Sequence, residues 1–130
     1  MKRFGLVVML GGLTAVAALV TTPSAQAKDD KCGEKGQPSC PLQGWMEKNV
    51  QMPMEDKDYK KLAASLEKAA TFVPDPAWNK GDNSWEKLAK ASATAAKTGD
   101  LKTIKKSCKT CHKAWRKKYK AEHRKKPIKG

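Results

Sequence analysis

The chain has 130 residues, with 27 Lys or Arg against 13 Asp or Glu and a formal charge of +14. That length holds a single domain. The charge alone would suit nucleic acid, but the export signal that opens the chain argues against it, and neither a serine-histidine-acid set nor a distal acid-base group supports an enzyme.

Residues 1–27 read as a secretory signal peptide. Lys2 and Arg3 make a basic start, an apolar run spans 4–20, and Ala25-Gln26-Ala27 is a small-x-small cleavage site. The run is short for a membrane span and holds three glycines, so a retained anchor is the weaker alternative. Cleavage after Ala27 leaves 103 residues in the periplasm, an oxidising space where free thiols do not persist.

Residues 28–40 form an N-terminal cysteine loop. Cys32 and Cys40 flank a Gly- and Pro-bearing turn, and a disulfide between them is worth about 2 to 3 kcal/mol in chain entropy. A metal-binding or second redox role for this pair lacks further ligands.

A helical domain over 41–123 follows. Pro41 suits the first residue of a short helix reaching about Val50, with Leu42, Trp45, Met46 and Asn49 on one stripe and Pro53 just beyond. A second helix, from about Asp56 to Phe72, carries Tyr59, Leu62, Leu66, Ala69 and Val73 on one face and stops at Pro74. Residues 74–83 read as a loop. Asn83 and Glu86 stand at capping-box spacing for a third helix, with Trp85, Leu88, Ser92 and Ala95 inward and Gly99 as its stop. Asp100 can cap a fourth, from Leu101 to about His123, whose stripe is Leu101, Ile104, Cys108, Cys111, Trp115 and Tyr119. Residues 124–130 form a basic C-terminal tail. The expected fold is therefore all-α, a four-helix bundle. Alanines crowd helices two and three; they either leave room for a bulky planar group or simply favour helix.

The fourth helix carries the chemistry, in Cys108-Lys109-Thr110-Cys111-His112. A redox-active pair would sit at a helix start among alternating strands, and a zinc site would need a second close pair of ligands. A c-type haem needs only what is present: two thiols to take its vinyl groups and a following histidine to reach its iron. On a helix the three side chains project toward one flat ligand. The bland alternative is a core histidine beside two ordinary cysteines. One covalent haem c, on the last helix, is the expectation.

A small exported bundle whose CxxCH lies in the last helix, followed by an aromatic and a basic cluster (CKTCHKAWRKKY), resembles the class II cytochromes c, the cytochrome c-prime family and its low-spin relatives. The segment WMEKN at 45–49 is similar to the place where low-spin members set a methionine iron ligand, and that match falls on Met46. The resemblance implies iron held by His112 and Met46 and a protein that carries single electrons. Met52 and Met54 are lesser candidates for the same role. Should no side chain bind opposite His112, the resemblance implies a gas-binding protein for nitric oxide or carbon monoxide. A non-haem interaction module with a cationic tail is a third class. His123 lies about 16 Å beyond His112 along the same helix and reads as a surface residue.

Charge points to a partner. Residues 28–100 hold twelve lysines and twelve acids, whereas 101–130 hold thirteen Lys or Arg and one acid, Glu122. Lys109, Lys113, Arg116, Lys117 and Lys118 are candidates for docking an acidic redox protein or a membrane-bound electron-transfer complex. An anionic membrane surface and a homodimer are further possibilities.

Overall fold

The computed structural model describes residues 31–130. The signal peptide, its cleavage site and residues 28–30 of the cysteine loop lie outside the described residues. No described helix is long and apolar enough to cross a membrane.

The regular elements among the described residues are all helical, with no strand among them. Helix α1 covers Pro41–Met46, a wide π-helical turn covers Glu47–Gln51, and α2 covers Met52–Glu55. The residues at both junctions hold right-handed helical angles, so these pieces make one rod. Here the expectation that the first helix ends near Val50, with Pro53 outside it, is corrected. Pro53 offers no N–H, and its ring would press on the carbonyl of Asn49. The wide turn just before it loosens the spacing: the Met52 N–H donates to the Glu47 carbonyl, five residues back. The Asn49 side-chain amide donates to the Trp45 carbonyl at 2.9 Å. Pro53 is thereby fully buried inside the rod.

Helix α3 covers Tyr59–Ala70, a start three residues later than the sequence reading. Lys57 has φ 58° and breaks the chain direction, and Asp58 then caps α3 by accepting from the Lys61 N–H at 3.0 Å. Helix α4 covers Trp85–Lys97, and its cap is Ser84, not Asn83. Asn79, from the preceding loop, occupies the reciprocal place in the cap: its side chain accepts from the Glu86 N–H at 3.2 Å and donates to the Glu86 carboxylate at 2.8 Å. Gly99, at φ 69°, ends the turn that follows α4, as expected. Helix α5 covers Leu101–Glu122 and is capped by Asp100, which accepts from the N–H groups of Lys102 and Thr103.

The loop between α3 and α4 holds a 3₁₀ turn, Pro76–Asn79, that buries Trp78 to 1 % exposure. Composition marks this segment as a loop and says nothing of that burial. Burying Trp78, Leu62 and Ile104 contributes roughly 1.5 to 3 kcal/mol each.

Packing runs in sequence: the first rod on α3, α3 on α4, α4 on α5. No Cα of the first rod comes within 8 Å of one in α5. Two apolar clusters result. One joins Leu62, Leu66, Ala93, Ala96 and Ile104; the other joins Leu42, Ala69, Phe72, Trp78 and Trp85. The basic tail folds back on the second cluster through Ile128.

Cys32 and Cys40 lie at disulfide distance, 2.05 Å between sulfurs. The Arg124 guanidinium donates to the Cys32 carbonyl, tying this loop to the end of α5.

Candidate functional site

The gap between the first rod and α5 is a cleft of about 470 Å³. One wall is the rod, through Leu42, Met46, Val50 and Met54; the opposite wall is α5, through Cys108, Cys111, His112, Trp115 and Tyr119. Its floor is Leu66 and Ala69 of α3 with Trp85, Ala89 and Ser92 of α4. Three of those five floor residues are small, which keeps the cleft open down to the helix backbones.

The π turn decides what the rod presents. Eight residues of regular α-helix would set Met46 and Met54 about 80° apart around the axis; one surplus residue in the turn reduces that to about 20°. Both side chains accordingly line the cleft and are half-buried, while Met52 faces away at 55 % exposure. Met54 and Cys108 both pack against the first apolar cluster, and Met46, Trp115 and Tyr119 against the second.

On α5 the spacing of Cys108, Cys111 and His112 brings all three to this cleft. Burial holds the Cys108 thiol above its usual range. Burial, and then the neighbouring Cys108, push Cys111 up to about 11. Partial burial and then the Arg116 guanidinium push His112 below its usual value. The thiols are thus protonated at neutral pH and the imidazole is neutral with a free lone pair. That is the reverse of a redox-active CxxC, whose thiolate is stabilised at a helix N-terminus; Cys108 sits mid-helix. Among the described residues no three His, Cys, Asp or Glu side chains close around a bare metal ion. Donors spread along one face of a cleft instead suit a wide, flat ligand, and the volume lies in the range of small-molecule and cofactor sites. The residues present therefore fit a haem.

Aromatic side chains seal the cleft at the end where α5 meets the tail. Trp78 stacks on Trp115 and meets the His123 ring edge-on, with centroids 5.0 Å apart. His123 is thus packed in, its side chain 11 % exposed, which corrects its reading as a surface residue. Trp115 Nε1–H donates to the Asn83 carbonyl at 3.0 Å, and Trp85 Nε1–H to the Ala69 carbonyl at 2.9 Å. No polar atom of these indoles is wasted inside the core.

The proposed docking residues are divided. Lys109, Lys113 and Arg116 line an open groove of about 400 Å³ beside His112, together with Lys105 and Met54. Lys117 and Lys118 line neither space, and the Lys118 ammonium lies 5.0 Å from the Trp78 ring centroid. Sequence reasoning missed Trp78 and Lys105. The first was legible only as a lone tryptophan in a polar loop, the second as one lysine among many. Comparison of the chain with protein-family models, with curated proteins and with solved structures gives no match.

Proposed function

We propose that the chain is an exported monohaem c-type cytochrome that carries single electrons between redox partners in the periplasm, built as a four-helix bundle with the haem on its last helix and related to the class II cytochromes c. The observation that carries this reading is the meeting of Cys108, Cys111 and His112 on one cleft, with a wall of thioethers opposite and a floor of small residues. A bound haem supplies a one-electron iron centre held by two thioether links. Cys108 and Cys111 would hold it to α5. His112 would offer a neutral ring nitrogen to the iron and Met46 a thioether, a donor pair that would raise the reduction potential. Leu42, Trp85, Trp115 and Tyr119 exclude water. The partner is an acidic redox protein or a membrane-bound electron-transfer complex.

One observation favours a second reading. Val50, which can donate nothing, stands on the rod between Met46 and Met54. If the iron faces Val50, its sixth position is open and the protein binds nitric oxide or carbon monoxide.

The visible spectrum of the matured, exported protein separates these. Sharp α and β bands on reduction, with a weak far-red band when oxidised, go with methionine ligation and electron transfer. Broad high-spin bands that sharpen on carbon monoxide go with the open iron. No haem absorption at all overturns both.

A further inference from the structure

The lysines of α4 and α5 are treated differently by the fold. On α4, Lys87 pairs with Asp82 at 3.2 Å, Lys97 with Glu67 at 2.5 Å, and Lys90 with Glu86. On α5, no Lys or Arg has an acidic partner among the described residues. Four of these unneutralised cations, Lys105, Lys109, Lys113 and Arg116, gather on one side of the helix, around the open groove where His112 and Met54 also lie. The spacing explains the gathering: steps of four and three residues advance about 40° and −60° around the helix, so the four stay within one broad stripe. Lys106, Lys117 and Lys118 fall outside that groove.

We infer that this cationic groove is the docking surface for a protein partner that presents projecting carboxylates, and that it is where electrons cross. The inference rests on the haem reading above, since His112, the residue that would hold the iron, lines this groove. The groove is shallow, and its four cations, in a row without acidic partners among the described residues, complement carboxylate side chains projecting from a protein. Surface binding to a bilayer also draws on exposed apolar anchors, and Met52 is the one large apolar side chain strongly exposed among the described residues. Unpaired positive charge beside the electron path steers encounter with an acidic partner and fades with salt. The step itself moves one electron from the reduced chain to an oxidised partner, with no bond made or broken.

The test uses the haem-loaded protein and, as probe, an oxidised blue-copper protein of net negative charge. Stopped-flow rates are measured from low to high salt for the wild type, for Lys105→Glu with Lys109→Glu and Lys113→Glu, and for Lys106→Glu with Lys117→Glu and Lys118→Glu. Both triples change net charge equally. The groove triple is expected to slow the low-salt reaction at least tenfold and flatten its salt dependence, and the other triple to change it less than threefold. Equal slowing by both leaves only net charge and overturns the surface. Sedimentation with phosphatidylglycerol vesicles is run alongside: wild-type binding that the groove triple alone loses, with no difference toward the copper protein, makes the surface a lipid site and overturns the protein partner. Calorimetric titration with the copper protein needs no redox centre. A chain without haem absorption that still binds through the groove keeps the surface and removes the haem reading; a haem-loaded chain whose binding ignores the groove triple does the reverse.

Discussion

The indole of Trp78 lies flat on that of Trp115, ring centroids 4.7 Å apart and planes 14° from parallel. One ring comes from a loop and the other from α5, a single turn beyond His112. The loop is therefore part of the wall behind the site. Trp78→Ala should cost about 3 to 5 kcal/mol, the usual range for emptying a buried tryptophan site, and Trp78→Phe considerably less. Urea unfolding followed by circular dichroism measures both. A cost near zero for the alanine variant would mean that the loop does not hold this position in solution.

The floor of the cleft can be closed from α4. Ala89 is 5 % exposed and lines the cleft, so Ala89→Phe places a ring where the cofactor would lie. Haem absorbance per mole of matured protein should fall at least tenfold while helicity survives. Undiminished haem loading would place the cofactor elsewhere.

The two methionines of the wall can be told apart from the one that faces solvent. Met46→Ala should remove the far-red band of the oxidised protein and lower its reduction potential, because a thioether partner for the imidazole is lost. Met52→Ala should change neither. Loss of the band in Met54→Ala alone would move the sixth ligand one turn past Val50 on the same wall.

The small disulfide loop contributes to stability apart from the site. Replacing Cys32 and Cys40 by serine should cost about 2 to 3 kcal/mol, read as a lower urea midpoint with an unchanged haem spectrum. The wild type under reductant should match the variant. A normal midpoint in the variant would show that Arg124, which donates to the Cys32 carbonyl, holds the loop without the covalent link.

The cap of α5 gives a pH dependence with a definite sign. Hydrogen bonds from Thr103, side chain first and then backbone, and from the Lys102 N–H hold Asp100 below its ordinary 3.8. A carboxylate with a lowered folded value stabilises above its unfolded value, and the contribution disappears as pH falls through the folded one. Asp100→Ala should therefore melt lower than the wild type at pH 7, and the gap should close as pH drops below about 4. A gap that stays constant with pH would mean that the carboxylate charge is not what caps the helix.

Much of this layout is legible in the sequence, because local rules and tertiary packing agree over most of it. Gly99 and Asp100 stop one helix and start the next through chemistry that each carries alone. The stripe from Ile104 to Tyr119, including Cys108 and Cys111, is an apolar period that any helix of that sequence must bury on one side. The first rod was misjudged because a proline ends a helix only when nothing relieves its carbonyl clash, and the relief here is a turn geometry without a residue signature. Asn83 lost the cap to Ser84 because Asn79, distant in helical register, reaches Glu86 from the loop. Trp78 was hidden for a related reason: its burial depends on a stacking partner 37 residues away, and no local pattern reports it.

The wide turn at Glu47–Gln51 also makes the rod tolerant of a change in chain length. Deleting Lys48, an exposed residue of the turn, would leave a better-formed α-helix. Seven residues of regular helix would then separate Met46 from Met54, which keeps them about 20° apart, as the wide turn does now. A single-codon deletion there would leave both thioethers on the cleft wall, whereas closing the turn into regular helix at the present length would swing Met46 about 100° away from Met54's side.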